Sequence, residues 1–402
     1  MIISSNRRIV LRLDPMIILL WIFAIITAVG RVFSLSILGI PVFSVFFLLL
    51  SAVLVAYFTS QYQRHTRQFQ NRWLFVLLIG VSIMTSVLNG WDIFSSIYNA
   101  FIYGTPFLLV ALPSYHKIQL RTCFQFVRVM VIIGAIISIG VYMGWIDTGI
   151  ANKNIVALNI VVLDNSIGLI GLIASMYQLL EHESNYNKCV SAAYLILSYM
   201  IIIMGQSRAR VLLALGISII FVLYQLLRKQ KVSGKTIFFF IGFAVATLIL
   251  VNQYYDRVMS YMSFSLGKLN TMMRDESSIY RIEEMKFHLN LLKEHPIAGI
   301  GCGVLNQKYH WTFDDYYYAH CMLTSFLAMN GLFLGTVMLV SLAEVLFKSI
   351  HAFIKSRSLM SIMALVLAGT IIFLSVTSAG FSKYSTHFMM LLLGCCLVDL
   401  KT

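Results

Sequence analysis

Residues 189–227 read CVSAAYLILSYMIIIMGQSRARVLLALGISIIFVLYQLL, two apolar runs divided by the short polar patch Gly205-Gln206-Ser207-Arg208-Ala209-Arg210. A helix rising 1.5 Å per residue needs about 20 mostly apolar residues to cross a hydrocarbon core of about 30 Å, and each run approaches that length. Arg228, Lys229, Lys231 and Lys235 follow directly. The pattern is that of a transmembrane helical hairpin with a basic cluster at one end and two arginines at the other.

Working outward, comparable runs fall at 15–32, 38–58, 73–89, 93–112, 124–146, 155–180, 236–252, 319–347, 359–379 and 384–400. Hydrophobic residues make up 59% of the 402 and charged residues 11%, whereas ordinary soluble domains are about 25% charged. A soluble globule is excluded. The expected fold is an all-α polytopic membrane protein of about twelve transmembrane helices, forming one integral membrane domain over the whole chain.

The formal charge of +14 is spread in short clusters between the apolar runs, so it reads as a topology signal and not as a nucleic-acid surface. With the N-terminus in the cytoplasm, the inner loops hold Arg64, Arg67 and Arg72, then Lys117, Arg121 and Arg128, then the cluster after residue 227, then Lys348, Lys355 and Arg357. The C-terminus is then cytoplasmic as well. Arg7, Arg8 and Arg12 precede the first run as in a signal peptide, but no small-residue cleavage site follows, and the run reads as an uncleaved span.

The longest polar segment, 253–318, is placed outside by this topology. Within it Ile279, Ile282, Met285, Leu289 and Leu292 recur at helical spacing, with Arg281, Glu284 and His288 on other faces. That predicts an amphipathic helix lying against the membrane surface or the bundle. Asp275 to Ser278 supply its cap, and Pro296 and Gly299 end it.

Several polar residues on the outer side are candidates for chemistry. An arginine at mid-span costs about 2.5–3.5 kcal/mol on the insertion scale, so Arg208 and Arg210 face either a cavity or lipid phosphate. On a helix they point about 200° apart, which allows one of each. Arg281 has Glu284 within pairing distance, and a surface ion pair is the plainer account of the two. Gly299, Gly301 and Gly303 have the spacing G-x-G-x-G without the residues of a nucleotide loop, and read as a tight turn whose backbone can approach another segment closely. His320, after Tyr316, Tyr317 and Tyr318, suits a general base near neutral pH or an aromatic interfacial belt. His310, Asp314 and Asp315 are competitors for an acid–base role. Of the six cysteines, only Cys302 and Cys321 fall outside; they read as free thiols, although an oxidising compartment permits their pairing.

Taken in order, Ser207-Arg208-Ala209, Arg281, the Pro296–Gly303 turn and Ala319-His320 before Asn330-Gly331-Leu332 resemble the signature region of the O-antigen ligase and polymerase superfamily. Asn152-Lys153-Asn154 resembles its Asn-rich outer turn, and the likeness covers roughly residues 150–345. It implies a metal-independent, inverting glycosyltransferase of the C type, without cofactor. The donor is a glycan on undecaprenyl pyrophosphate, the acceptor another glycan, and the setting is the outer face of the bacterial cytoplasmic membrane.

Carried over, Arg208 and Arg281, with Arg210, would hold the pyrophosphate and His320 would act at the acceptor hydroxyl. Asn154, Ser207, Glu284 and Tyr318 are the supporting candidates. Cys321 stands where the family commonly has Asn, which changes the local hydrogen bonding. The expected activity is a polysaccharide polymerase, with a chain-length regulator protein as an optional partner. A ligase delivering glycan to a lipid A core or another acceptor is the alternative, and a lipid-linked oligosaccharide transporter the third reading.

Overall fold

The computed structural model describes residues 14–29, 36–37, 40–62, 70–116, 118–142, 145–146, 166–181, 184–204, 208–227, 276–302, 321–377 and 384–400. The expected run 236–252, most of the long loop, and Asn152, Lys153, Asn154, Ser207, His310, Asp314, Asp315, Tyr318 and His320 lie outside them.

The described chain is helical apart from the two-residue strands β1 (Ser36–Ile37) and β2 (Ile40–Pro41), an antiparallel pair. The helices are α1 (Pro15–Val29), α2 (Val42–Tyr62), α3 (Gln70–Leu88), α4 (Ile93–Ala111), α5 (Leu120–Tyr142), α6 (Ser166–Glu181), α7 (Asn185–Met204) and α8 (Arg208–Leu227). After them come α9 (Glu276–Glu294), α10 (Met322–Ser356), α11 (Leu359–Thr377) and α12 (Tyr384–Asp399). Among the described residues, six helices are long and apolar enough to cross a membrane, and five further apolar helices are shorter. The chain is therefore a multi-pass α-helical membrane protein.

Burial divides the helices into two kinds. α6 is buried from Ser166 to Leu179 and α12 from Ser385 to Cys396, because both are apolar on every side and other helices surround them. α12 packs on α4, α5 and α11, and α6 on α5 and α7. By contrast α8 leaves Leu212, Leu215, Ile219, Leu223 and Leu226 exposed along one stripe. In water such a stripe would be costly; against lipid tails it is the expected outer surface. Serines inside the spans donate to a carbonyl one turn back, as Ser51 does to Phe47 and Ser375 to Ile371 at 2.8 and 2.7 Å, so they need no partner from outside the helix.

The two ends of the bundle differ in what they gather. At one end Asp14 meets His116 at 2.6 Å and Tyr57 donates to the Tyr115 carbonyl at 3.1 Å, which brings the start of α1, the end of α2 and the α4–α5 connection together. At the other end the α3–α4 connection meets the segment that follows α9.

Candidate functional site

The site is built on a break in α10. Gly331 has φ 68° and ψ −177°, outside helical space, so the hydrogen-bond ladder stops there. An unbroken helix would join the Leu332 N–H to the Ala328 carbonyl and the following N–H to the Met329 carbonyl. Inside a membrane such freed groups are tolerated only where the protein itself satisfies them. Here the turn after α9 does so. Ile300 N–H donates to Ala328 O at 3.0 Å, Gly301 N–H to Met329 O at 2.8 Å, and Leu332 N–H to Pro296 O at 2.7 Å.

The glycines make this contact possible. A Cβ on Gly299 would stand 2.4 Å from Gly331 N, one on Gly331 2.1 Å from Ile297 O, and one on Gly301 2.5 Å from Ser86 Cα. All three also have positive φ. The tight turn and close backbone approach read from the glycine spacing are thus present, and its partners are α10 and α3.

Side chains extend the lock. Cys302 N–H donates to Ser86 Oγ, and Ser86 Oγ in turn to the Ser82 carbonyl, each at 2.6 Å. Ser82 Oγ donates to Asn330 Oδ1 at 2.7 Å, while Asn330 Nδ2 donates to Phe326 O at 3.1 Å. Trp91 Nε1 closes the ring on Ile300 O at 2.6 Å. Ser82, Ser86, Asn330 and Cys302 are all buried. Burial pushes the Cys302 thiol up to about 12, with smaller opposing effects from Ser82 and Asn330, so it stays protonated and unreactive. Cys302 and Cys321 are both buried free thiols.

This lock fixes α9 against α10. α9 ends at Glu294 before the Pro296 turn, as its sequence predicts, and its polar stripe faces the bundle. Glu284 and His288 are fully buried and Leu291 nearly so, whereas Ile282 and Leu289 are 46% and 42% exposed. The polar stripe at spacing 3, 4, 3 is the packing face, and the apolar stripe does not turn to the bundle. The interior here is polar: Tyr103 of α4 stands within electrostatic reach of both Glu284 and Cys302. Arg281 is half-buried on the same stripe, and its Nε has no hydrogen-bond partner among the described residues. The surface ion pair of Arg281 with Glu284, the plainer account of these two, is not among the ion pairs of the described residues. Glu284 points into the bundle, and spacing on a helix permits a pair without requiring one.

Burial pulls His288 down from its ordinary 6.5 to about 4, with the Glu284 carboxylate opposing the shift. The ring is therefore neutral near pH 7. Its Nδ1 lies 3.2 Å from Thr324 Oγ1 in the first turn of α10. Sequence reasoning placed His288 on the polar side of α9 without giving it a role. The available signal was its spacing of seven from Arg281 and four from Glu284.

The remaining candidates divide by helix. Arg208 is the first residue of α8 and Arg210, half-buried, the third. α8 packs on α6, α7 and α11. The described residues thus bring Glu284 and His288 to α10 and to Tyr103.

Fold and site define a multi-pass membrane protein that buries ionisable groups beside a broken helix. Residues 193–340, which run from α7 through the first part of α10, match the family model described as O-antigen ligase. Over this part of the chain the match supports the likeness to the O-antigen ligase and polymerase superfamily, a family of glycosyltransferase-like enzymes. No curated protein matches the chain.

Proposed function

We propose that the protein is a polysaccharide polymerase that transfers a growing glycan from undecaprenyl pyrophosphate to a lipid-linked repeat unit on the outer face of the bacterial cytoplasmic membrane. The observation that carries this reading is the inward-facing stripe Arg281, Glu284 and His288, held by the glycine lock to the helix that begins directly after His320 and Cys321. About twelve spans with both termini inside put this stripe on the outer side, where the loop charges also place it.

In the reaction the acceptor hydroxyl oxygen attacks the anomeric carbon of the donor sugar. The bond from that carbon to the pyrophosphate breaks with inversion, and the hydroxyl proton passes to His320. Such proton transfer contributes typically 10²–10⁴-fold. Charge builds on the leaving pyrophosphate, and Arg208 and Arg281, with Arg210 beside them, are the groups to hold it. Guanidinium forks bind phosphate oxygens in pairs and gain strength away from water. Asn154, Ser207, Glu284 and Tyr318 then orient sugar and pyrophosphate.

The test is elongation of defined lipid-linked repeat units by the purified full chain in liposomes. Arg281→Ala, Arg208→Ala and His320→Ala each abolish elongation while the protein stays folded, and chelation of divalent metals leaves the parent active. A His320 variant with full activity, or a reaction stopped reversibly by chelator, overturns the mechanism. The name of the matched family keeps the ligase reading in play. A deletion strain decides between them: loss of a polymerase leaves surface glycan capped with a single repeat, and loss of a ligase leaves none attached.

A further inference from the structure

We propose that His288 is a positioning residue of the transfer site, which fixes the start of α10 against the arginine-bearing stripe of α9. The inference rests on the reading of Arg281 and His320 given above.

Its basis is a directed hydrogen-bond chain. Thr324 Oγ1 lies 3.3 Å from the Cys321 carbonyl and 3.2 Å from His288 Nδ1. A hydroxyl has one hydrogen, and a carbonyl can only accept. The Thr324 hydrogen therefore goes to Cys321 O, and the ring must donate from Nδ1. The tautomer follows from these two contacts, and the residue is sealed from solvent. Nε2 has no hydrogen-bond partner among the described residues.

The chain ends where position matters. Cys321 caps α10 without any side-chain hydrogen bond of its own, so the bond from Thr324, with His288 behind it, is what ties this corner to α9. His320 is the preceding residue. Arg281 stands two turns from His288 along α9, about 10 Å by helix rise. One imidazole thus joins the Cys321 carbonyl at the start of α10 to the helix that carries Arg281. A misplacement of about 1 Å between reacting groups costs about 10²-fold in rate.

A space-filling role and a positioning role make different demands. Packing is satisfied by any side chain of similar volume, whereas positioning needs an N–H at the Nδ1 site. Asparagine offers an amide near Nδ1, and glutamine offers one near Nε2. The experiment compares His288→Asn, His288→Gln, His288→Leu, Thr324→Ser and Thr324→Val in the liposome elongation assay, with thermal unfolding of each. His288→Asn and Thr324→Ser should elongate close to the parent. His288→Gln, His288→Leu and Thr324→Val should fall about 10²-fold in kcat with KM little changed, the mark of an interaction used in the transition state.

Equal rates for the Asn and Gln variants, or full activity in the Leu variant, overturn the proposal. Thr324→Val reads the same chain from its other side with almost no change in volume, so misfolding of a histidine variant does not leave the question open. Arg281→Ala and His320→Ala run alongside. If those two keep full activity, the underlying assignment fails; if they are inactive while His288→Leu is fully active, the positioning role alone fails.

Discussion

α12 and the α9–α10 unit solve the same problem in opposite ways. α12 is an unbroken helix buried along nearly its whole length, and its one imidazole, His387, sits among the rings of Phe23, Phe47 and Tyr384. α10 is broken at Gly331 and hands two carbonyls and an N–H to the Pro296–Gly301 turn, so that a second segment repairs what the first leaves open. Regularity is the cheapest arrangement in hydrocarbon, because every backbone group is satisfied within the span. A break repaired so completely, next to a buried carboxylate and imidazole, marks where shape was selected over simplicity.

The sharpest way to break this contrast is Gly331→Ala. The new Cβ meets the Ile297 carbonyl oxygen at 2.1 Å and its carbon at 2.4 Å, both backbone atoms, and φ of +68° with ψ near 180° is a conformation essentially restricted to glycine. Neither the turn nor the helix can yield without surrendering the three exchanged hydrogen bonds. The variant should lose more than about 3 kcal/mol and elongate below detection. Thermal unfolding in detergent together with the elongation assay checks this, and an unchanged melting temperature would show that the lock is not under tension.

A smaller effect is expected from pH, through His288. Above about pH 6.5 the ring is neutral in both the folded and the unfolded chain and contributes nothing to the dependence. As pH falls below that value the unfolded chain takes up a proton that the folded site refuses until about pH 4, so stability declines through that window and then levels. At 1.36 kcal/mol per pH unit the loss approaches about 3 kcal/mol. Other groups titrate there too, so the measurement is the difference between parent and His288→Asn in unfolding across that range. The parent should lose more stability than the variant; parallel curves would remove the sealed imidazole from the account.

Much of the fold was legible because membrane helices write their length and polarity directly into the chain. The runs around Tyr194 and Phe221, and the end of α9 at Pro296, needed only hydropathy and turn chemistry. The G-x-G-x-G turn was legible as a close approach, since only glycine admits one. Its destination was not, because nothing local in Gly299 or Gly301 names Ser86 or Met329, which lie far away along the chain. The apolar stripe on α9 was legible, but not which of the membrane surface and the bundle it faces. Hydrophobic periodicity assumes an apolar interior, and at Glu284 and His288 the interior is polar.

The smallest effect belongs to a glycine of the regular kind. Gly369, in α11, lies on the exposed side of its helix, and a Cβ there meets nothing within 4 Å. Its backbone is helical, so alanine adds no strain, and alanine exceeds glycine in helix propensity by about 1 kcal/mol. Gly369→Ala should therefore leave elongation at the parental rate and raise stability by at most that amount. The pairing with Gly331→Ala holds the chemistry of the substitution constant, one methyl group on one glycine, and varies the backbone conformation and what surrounds it. If both variants melt like the parent, the break in α10 is as tolerant as a lipid-facing span and the contrast between the two kinds of helix disappears. If Gly369→Ala alone inactivates the protein, exposure on α11 conceals a partner, and the functional surface extends beyond the corner where α3, α9 and α10 meet.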